Sequence, residues 1–514
     1  MVAAAHPLAV DAGYAVLKLG GSALDAAIAV QMVLGLVEPE SSGIGGGAFL
    51  LYWSANDRTL RAYDGRETAP AAARPDRFLK QDKTEVEFID AVVGGRSVGV
   101  PGVLRMLEAA HRRHGRLPWN ELFQYAIFAA EEGFAMSPLL HEQLERDRFL
   151  RQDPAARKVF YSPDGKAKPV GARITNPEYG ATLRSIGLQG ADAFYRGDIA
   201  RDIVRAVRAN PRPGDLTEED LAGYRALERE PLCGPYRQWR ICSMPPPSAG
   251  GVAVLQILGL LERTAFERAP PHSAAAVHLF SEAGRLAYAN RARYLGDPDF
   301  VTVPTKKLLD PSYLDGRARL IGELSMGTAM PGDTESIGTS HISIVDALGN
   351  VAALTTTIES SFGSRIMARG FLLNNELTDF DFTPGGPNAV APGKRPRSSM
   401  APTIVFDEGN QVRLAIGSPG GPNIINYVAK ALVAMLDWRL DVQAAAAVPN
   451  FGSRNGPTLL ERGTSYEKLR PELEARGHEV QLNRLASGLH GVERVPGGWR
   501  GGADPRREGT ARGE

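Results

Sequence analysis

The sequence predicts a mixed α/β fold, and three observations predict it. Residues 8–37 form an apolar, alanine-rich stretch with a glycine break in the middle, the texture of helices. After residue 338 the texture changes to alternating strands, glycine turns and one strongly apolar helix. Fifty-six glycines and 36 prolines in 514 residues supply more tight turns than a helical bundle uses. The length is roughly three domains' worth of chain, enough to bury a large core.

Taken in order, residues 8–37 read as two helices broken at Gly20-Gly21, with Ser22 as the N-cap of the second. Ser41-Ser42-Gly43-Ile44-Gly45-Gly46-Gly47 is a glycine turn feeding Ala48-Phe49-Leu50-Leu51-Tyr52-Trp53, an apolar run that reads as a buried strand. Residues 103–160 and 192–230 look mainly helical, and Thr217-Glu218-Glu219-Asp220 opens one of those helices. Pro245-Pro246-Pro247 is a rigid stop before a helix from Gly251 to Glu262. There is no internal repeat and no low-complexity linker. From about Gly497 the chain is polar and glycine-rich, and composition alone makes it a loose tail.

Several function classes are disfavoured. Lys+Arg and Asp+Glu number 59 each and the pI is about 7.2, so no bulk charge is available for nucleic acid or an anionic membrane. A 43% hydrophobic fraction is that of a globular protein. Cys233 and Cys242 are too few for a disulfide scaffold or a multi-cysteine zinc module. Ala23 to Val37 is too short to span a bilayer and contains Asp25 and Gln31. The N-terminus lacks the basic and apolar segments of an export signal, so the expectation is a cytoplasmic protein, or a periplasmic one whose leader is missing. The nine histidines show no metal-ligand spacing, and no phosphate loop is present. Gly95-Arg96-Ser97-Val98-Gly99 matches the nucleophile-elbow pattern, but Val100-Pro101-Gly102 delays the helix that an elbow needs at once. It is read as a glycine-rich loop beside a strand.

The stretch from Gly338 to Asp346 alternates, reaches Ala347-Leu348-Gly349-Asn350, and is followed by a second alternating stretch, Val351 to Ile358. This predicts a hairpin with Gly349 in the left-handed position. If Asp346 pairs with Asn350, Thr339 lies opposite Thr357 on the same face, close enough for a hydrogen bond. Gly417-Ser418-Pro419-Gly420-Gly421-Pro422-Asn423 precedes an apolar helix from Ile424 to Leu436. Pro422 suits the first helical position, so Gly420 and Gly421 present amides at a helix N-terminus, where an anion or a developing oxyanion binds. Arg397-Ser398-Ser399-Met400 adds two hydroxyls and a guanidinium able to hold a carboxylate.

With these motifs in view, the chain resembles the gamma-glutamyltranspeptidase family of N-terminal-nucleophile hydrolases along nearly its whole length. The resemblance runs through Ala3-Ala4, His6-Pro7, Asp64-Gly65-Arg66-Glu67-Thr68-Ala69-Pro70, Val100-Pro101-Gly102 and Met244 to Gly251. It continues in Thr339-Ser340-His341, Leu373-Asn374-Asn375-Glu376, Arg397 to Pro402, Gly417 to Gly421 and the closing Ala503-Asp504-Pro505-Arg506-Arg507. The resemblance implies the four-layer αββα sandwich, with the tail as its last ordered segment. It implies self-cleavage between Gly338 and Thr339 into a large subunit, 1–338, and a small subunit, 339–514, within one intertwined unit. A threonine hydroxyl is a poor nucleophile near neutral pH, and a free α-amine with a reference pKa of about 7.7–8.0 is a suitable base beside it. Thr357 then orients the hydroxyl.

By the same resemblance Arg66, Ser398 and Ser399 bind the substrate's α-carboxylate, Asp379 and Glu376 its α-ammonium, and Gly420 and Gly421 the oxyanion. His341 is read as a structural support of the nucleophile strand. Glu359 stands where many transpeptidases carry Asn, so it either strengthens ammonium recognition or marks a different amide. The interval between Asp379 and Ser398 is short and holds Phe380 and Phe382 but neither Tyr nor Trp. That is a short lid, which favours hydrolysis over transfer. The expected function is hydrolysis of gamma-glutamyl amides such as glutathione, without metal or cofactor and without a nucleic-acid or membrane partner, in a heterodimer that itself pairs into a homodimer. The alternatives are an acylase of a cephalosporin side chain or an oxoacid amide, and an unprocessed binding scaffold.

Overall fold

The structure, a computed structural model, describes residues 1–327 and 339–514. Two sheets stack face to face, and helices cover each outer face. The first sheet runs, edge to edge, Thr510–Arg512, Val2–Ala4, Thr339–Val345, Val351–Thr357, Gly47–Ser54, Thr59–Gly65 and Leu227–Arg229, antiparallel throughout. The second runs Gly498–Ala503, His490–Val495, Val412–Gly417, Thr403–Phe406, Trp239–Ser243 and Leu232–Tyr236. Helices Pro7–Lys18, Ala23–Val37 and Val103–His114 pack on the first sheet. Helix Gly250–Glu262 packs on the second and against helices Ala274–Tyr294 and Ile424–Leu436. This is the αββα sandwich that the resemblance implies.

Local chemistry sets the element boundaries. Ser22 Oγ accepts from the Asp25 amide at 3.2 Å, and Asp25 Oδ2 accepts from the Ser22 amide at 2.8 Å, a reciprocal cap that starts helix Ala23–Val37 where Gly20-Gly21 ends the first. That helix is buried on all sides, which is why its sequence is apolar all round rather than striped. Thr217 and Asp220 make the same cap on helix Glu218–Gly223. The helical expectation for 192–230 fails at its end. Leu227–Arg229 is a strand paired with Ala62–Asp64, three residues whose state is decided by the partner strand. The polar tail is ordered as strands Gly498–Ala503 and Thr510–Arg512, the latter paired to Val2–Ala4.

Cys233 and Cys242 face each other on neighbouring strands and form a disulfide. Among the described residues, no helix is long and apolar enough to cross a membrane.

Candidate active site

The hairpin forms in the register that the sequence predicts. Asp346 N–H donates to Asn350 O at 3.1 Å, Gly349 has φ 80°, and Thr339 pairs with Thr357. Both strands are buried along their whole length, so a one-residue slip would turn every side chain to the wrong layer. Thr339 therefore begins a central strand with its hydroxyl aimed between the sheets, where Oγ1 donates to Thr357 Oγ1 at 3.4 Å. Thr357 Oγ1 also accepts from the Glu359 amide at 2.7 Å. Glu359 adopts φ 77°, the left-handed turn that brings its amide back onto Thr357. Gly338 lies outside the described residues.

A cleft beside Thr339 is lined by Thr357, Glu359, Glu376, Asp379, Arg66, Ser398, Ser399 and Gly421. Residues far apart in the chain thus meet in one cleft. Gly420, the remaining candidate, is next to the lining. Its φ of 134° and the 2.5 Å that would separate a Cβ from the Tyr427 ring allow only glycine there. Gly421-Pro422-Asn423 form a 3-10 turn leading into helix Ile424–Leu436. A wider surface hollow lined by Arg74, Arg77, Arg96 and Asp215 shares no residue with the cleft and holds no candidate nucleophile.

The electrostatics of the cleft centre on Arg66, a fully buried side chain at the end of strand Thr59–Gly65. Its Nη1 donates to Glu376 Oε1, and its Nη2 to Asp379 Oδ2 at 2.5 Å and to Arg397 O at 3.1 Å. Its Nε donates to Pro396 O at 3.1 Å. The guanidinium is thus already engaged by the two carboxylates expected to meet an ammonium. Arg397, which the sequence offers as a carboxylate holder, is likewise taken: its Nη2 donates to Asp381 at 3.1 Å. Glu359 Oε2 accepts from Ser360 Oγ at 2.6 Å and from Asn375 Nδ2. Burial pushes the Glu376 carboxyl well above the ordinary range, against the pull of Arg66.

Behind these lies Glu67, whose role the sequence does not announce. Burial pushes its carboxyl up to about 8, with Arg66 opposing. A Cβ on Gly47, the residue opposite Thr357, would sit 2.1 Å from its Oε2, so that glycine makes room for the acid. Between the ordinary 4.5 and about 8 the unfolded chain releases this proton while the folded protein keeps it, so stability falls as pH rises through that window. Glu67→Gln removes the titration. Its melting temperature, compared with wild type at about pH 5 and about pH 8 by calorimetry, is expected to shift in the variant's favour at the higher pH. A difference independent of pH would refute the assignment.

His341 is spoken for. Its Nδ1 is 2.8 Å from Thr355 Oγ1 and its Nε2 3.0 Å from Ser343 Oγ, and burial holds it well below the ordinary histidine range. Ser97 also fails as a nucleophile: its buried hydroxyl donates to Val92 O at 2.6 Å and Gly94 O at 3.0 Å. Away from the cleft, His278, Glu282 and His478 come together with metal-like spacing. Hydrogen bonds already occupy them: His278 Nε2 donates to Gly322 O, His278 Nδ1 lies 2.7 Å from His478 Nε2, His478 Nδ1 lies 2.7 Å from Thr458 Oγ1, and Arg285, Ser325 and Met326 donate to Glu282. Sequence reading missed Glu67 and two residues of helix Ala274–Tyr294, Tyr288 and Arg291. Arg291 lines the cleft, and the Tyr288 hydroxyl donates to Pro422 O in the glycine turn. No motif flags them; only their spacing of three on a helix puts them on one face.

The chain matches the family model described as gamma-glutamyltranspeptidase over residues 9–514. It is 36% identical over 536 aligned positions to the glutathione hydrolase proenzyme of Bacillus subtilis (strain 168), an alignment covering 99% of this chain and 91% of that one. It is also 36% identical over 524 positions to the Acylase ACY 1 proenzyme of Pseudomonas sp. (strain SE83), covering 99% and 92%. Among solved structures, cephalosporin acylase from Bacillus halodurans aligns with a TM-score of 0.88 at 28% identity, covering 99% of this chain and 94% of that chain.

Proposed function

Because the chain belongs to the gamma-glutamyltranspeptidase family, we propose that scission before Thr339 turns it into two subunits, 1–338 and 339–514, and that the freed Thr339 is its nucleophile. The protein is a self-processing gamma-glutamyl hydrolase and transferase. Its substrates are gamma-glutamyl amides, of which glutathione is one. What supports the assignment of residues is one arrangement: the Thr339–Thr357 pair in a cleft with three carboxylates, Glu359, Glu376 and Asp379, and the hydroxyls of Ser398 and Ser399.

In the uncut chain the amine of Thr339 is an amide and cannot act as a base. Once free, it takes the proton from its own hydroxyl as Oγ1 attacks the γ-carbonyl, with Thr357 Oγ1 orienting the attacking oxygen. The tetrahedral oxyanion is held by the amides of Gly420 and Gly421, each such donor being worth roughly 10²–10³ in rate. The ammonium then protonates the departing amine, leaving a gamma-glutamyl ester on Thr339. Water, activated by the same amine, releases glutamate. Asp379, which is far more exposed than Glu376, and Glu359 take the α-ammonium.

Hydrolysis outruns transfer because the segment after Asp379 is folded down. Phe382 stacks on Phe78 with ring centroids 4.5 Å apart, and Asp381 is tied to Arg397, so neither covers the ester. The cut halves pair further into a homodimer, which native mass spectrometry would detect. The test of the substrate class is release of p-nitroaniline from gamma-glutamyl-p-nitroanilide and from the glutaryl analogue, which lacks only the ammonium. Leaving this acidic wall without its cation is expected to cost the glutaryl donor about 10²–10⁴ in kcat/KM. Equal or faster turnover of the glutaryl donor overturns the reading in favour of an acylase.

A further inference from the structure

The surface hollow apart from the cleft gathers more cations than anions. It has a volume of about 250 Å³ and is lined by Arg74, Arg77 and Arg96 with Asp76 and Asp215. Three segments build it: 72–77, the 3-10 turn Gly95–Ser97 and 213–215. Two of them touch because of their glycines. A Cβ on Gly95 would run into the backbone of Gly214, and one on Gly214 into that of Gly95. Backbone bonds then fix these walls, Gly95 N–H donating to Arg212 O at 2.7 Å and Gly214 N–H to Val207 O at 3.1 Å.

The three guanidiniums differ in what already holds them. Arg74, at the rim, pairs with Asp76 at 3.1 Å. The Arg77 side chain is only 6% exposed; its Nη2 donates to Asp215, while its Nε and Nη1 have no hydrogen-bond partner. Arg96, partly buried, forms no hydrogen bond or ion pair among the described residues. Two carboxylates thus face three cations, and the surplus charge sits in a recess, which focuses its field.

We propose that this hollow binds a small tetrahedral oxyanion, phosphate or the phosphoryl end of a phosphate ester, between Arg96 and Arg77 with Arg74 at the rim. A planar carboxylate is matched by one guanidinium fork, whereas a phosphoryl group offers oxygens on several sides. Donors arriving from separate segments suit the second shape. The fork of Arg96 is free to take the anion, and Arg77 has donors to turn towards it. A buried donor left without an acceptor costs free energy, which the anion relieves. The volume is below the about 300–1,000 Å³ of drug-sized pockets, so the ligand is a small one. The hollow shares no residue with the cleft, and the inference stands or falls independently of the gamma-glutamyl reading.

Isothermal titration calorimetry of the whole protein with inorganic phosphate tests this, at an ionic strength held constant with chloride. Two or three charge-assisted hydrogen bonds predict a Kd on the order of 0.1–1 mM. Glycerol 3-phosphate should bind in the same range, and acetate, with fewer oxygens to share, about tenfold more weakly. Arg96→Gln should weaken phosphate by about tenfold or more, the loss of one such bond, while gamma-glutamyl-p-nitroanilide turnover stays within about twofold. Arg112→Gln, which alters an exposed arginine of helix Val103–His114, should leave the Kd unchanged. Arg77→Met should weaken phosphate as well; where circular dichroism shows that it has not folded, Arg96→Gln alone decides. Absence of saturable phosphate binding to wild type overturns the proposal. So does an unchanged Kd in Arg96→Gln, which would put the phosphate elsewhere, and so does acetate binding as tightly as phosphate.

Discussion

Thr339→Ala is expected to stay a single 55.2 kDa chain on a denaturing gel without measurable turnover, whereas wild type is expected to resolve into two chains that together are active. Both losses have one cause. The hydroxyl that would attack the preceding carbonyl during maturation is the hydroxyl that would later attack substrate, and alanine removes it from both steps. Removing a nucleophile of this kind typically costs about 10⁴–10⁶ in kcat. The fold is expected to survive: Thr339 is one residue at the start of a seven-residue strand whose register is held by six further pairs. A variant that is cleaved at the same position, or uncleaved but active, would remove Thr339 from the mechanism.

Arg66→Met is the second large effect, and it falls on stability as well as rate. Methionine fills the space but leaves Glu376 buried without its cation and Asp379 without its partner. Breaking a buried ion pair from one side typically costs about 3–5 kcal/mol, and that range is set here by Glu376, because Asp379 is one-third exposed and partly screened by water. The deficit should grow as pH rises, since at low pH the abandoned Glu376 carboxyl escapes by taking up a proton. Urea unfolding in the uncut Thr339→Ala background measures this on a single chain. Adding Glu376→Gln should return part of the loss, because it removes the stranded charge. A deficit below about 1 kcal/mol, the worth of an ordinary surface pair, would show that Arg66 is not the organiser of this cluster.

What the sequence revealed follows from the range over which its signals act. The Thr339–Thr357 pairing was legible because a period of two, an Asp346–Asn350 closure and a glycine at 349 together fix a register without knowledge of the rest of the molecule. The glycine turn before Ile424–Leu436 was legible for the same local reason. Strand Leu227–Arg229 was not, because three residues carry no periodicity and their partner lies more than 160 residues away. The strands after Gly497 were hidden by their composition. Gly501 and Gly502 are there because neighbouring side chains and backbone leave no room for a Cβ, a reason invisible without the neighbours.

The site shows the same division. Residue types at Arg66, Glu376 and Asp379 were readable, but not that they satisfy one another across some 310 residues. Arg397, offered to a carboxylate by its position beside two serines, is spent on Asp381. Arg291 and Tyr288 lie in an ordinary helical stretch, and three-dimensional adjacency alone distinguishes them from any other arginine and tyrosine.

In the first sheet, strands from the two sides of residue 338 alternate: Thr510–Arg512, then Val2–Ala4, then Thr339–Val345 and Val351–Thr357, then Gly47–Ser54. If the chain is cut before Thr339, as proposed, the halves are held in this sheet by three interleaved seams of backbone hydrogen bonds, so neither can leave without tearing the middle of the core. The scission also changes the molecularity of denaturation. An intact chain unfolds to one molecule and can refold at any dilution, whereas a severed one falls into two that must find each other again. Such a cut would make assembly a one-way event, in which the connected precursor serves as the template and the finished protein depends on never coming apart.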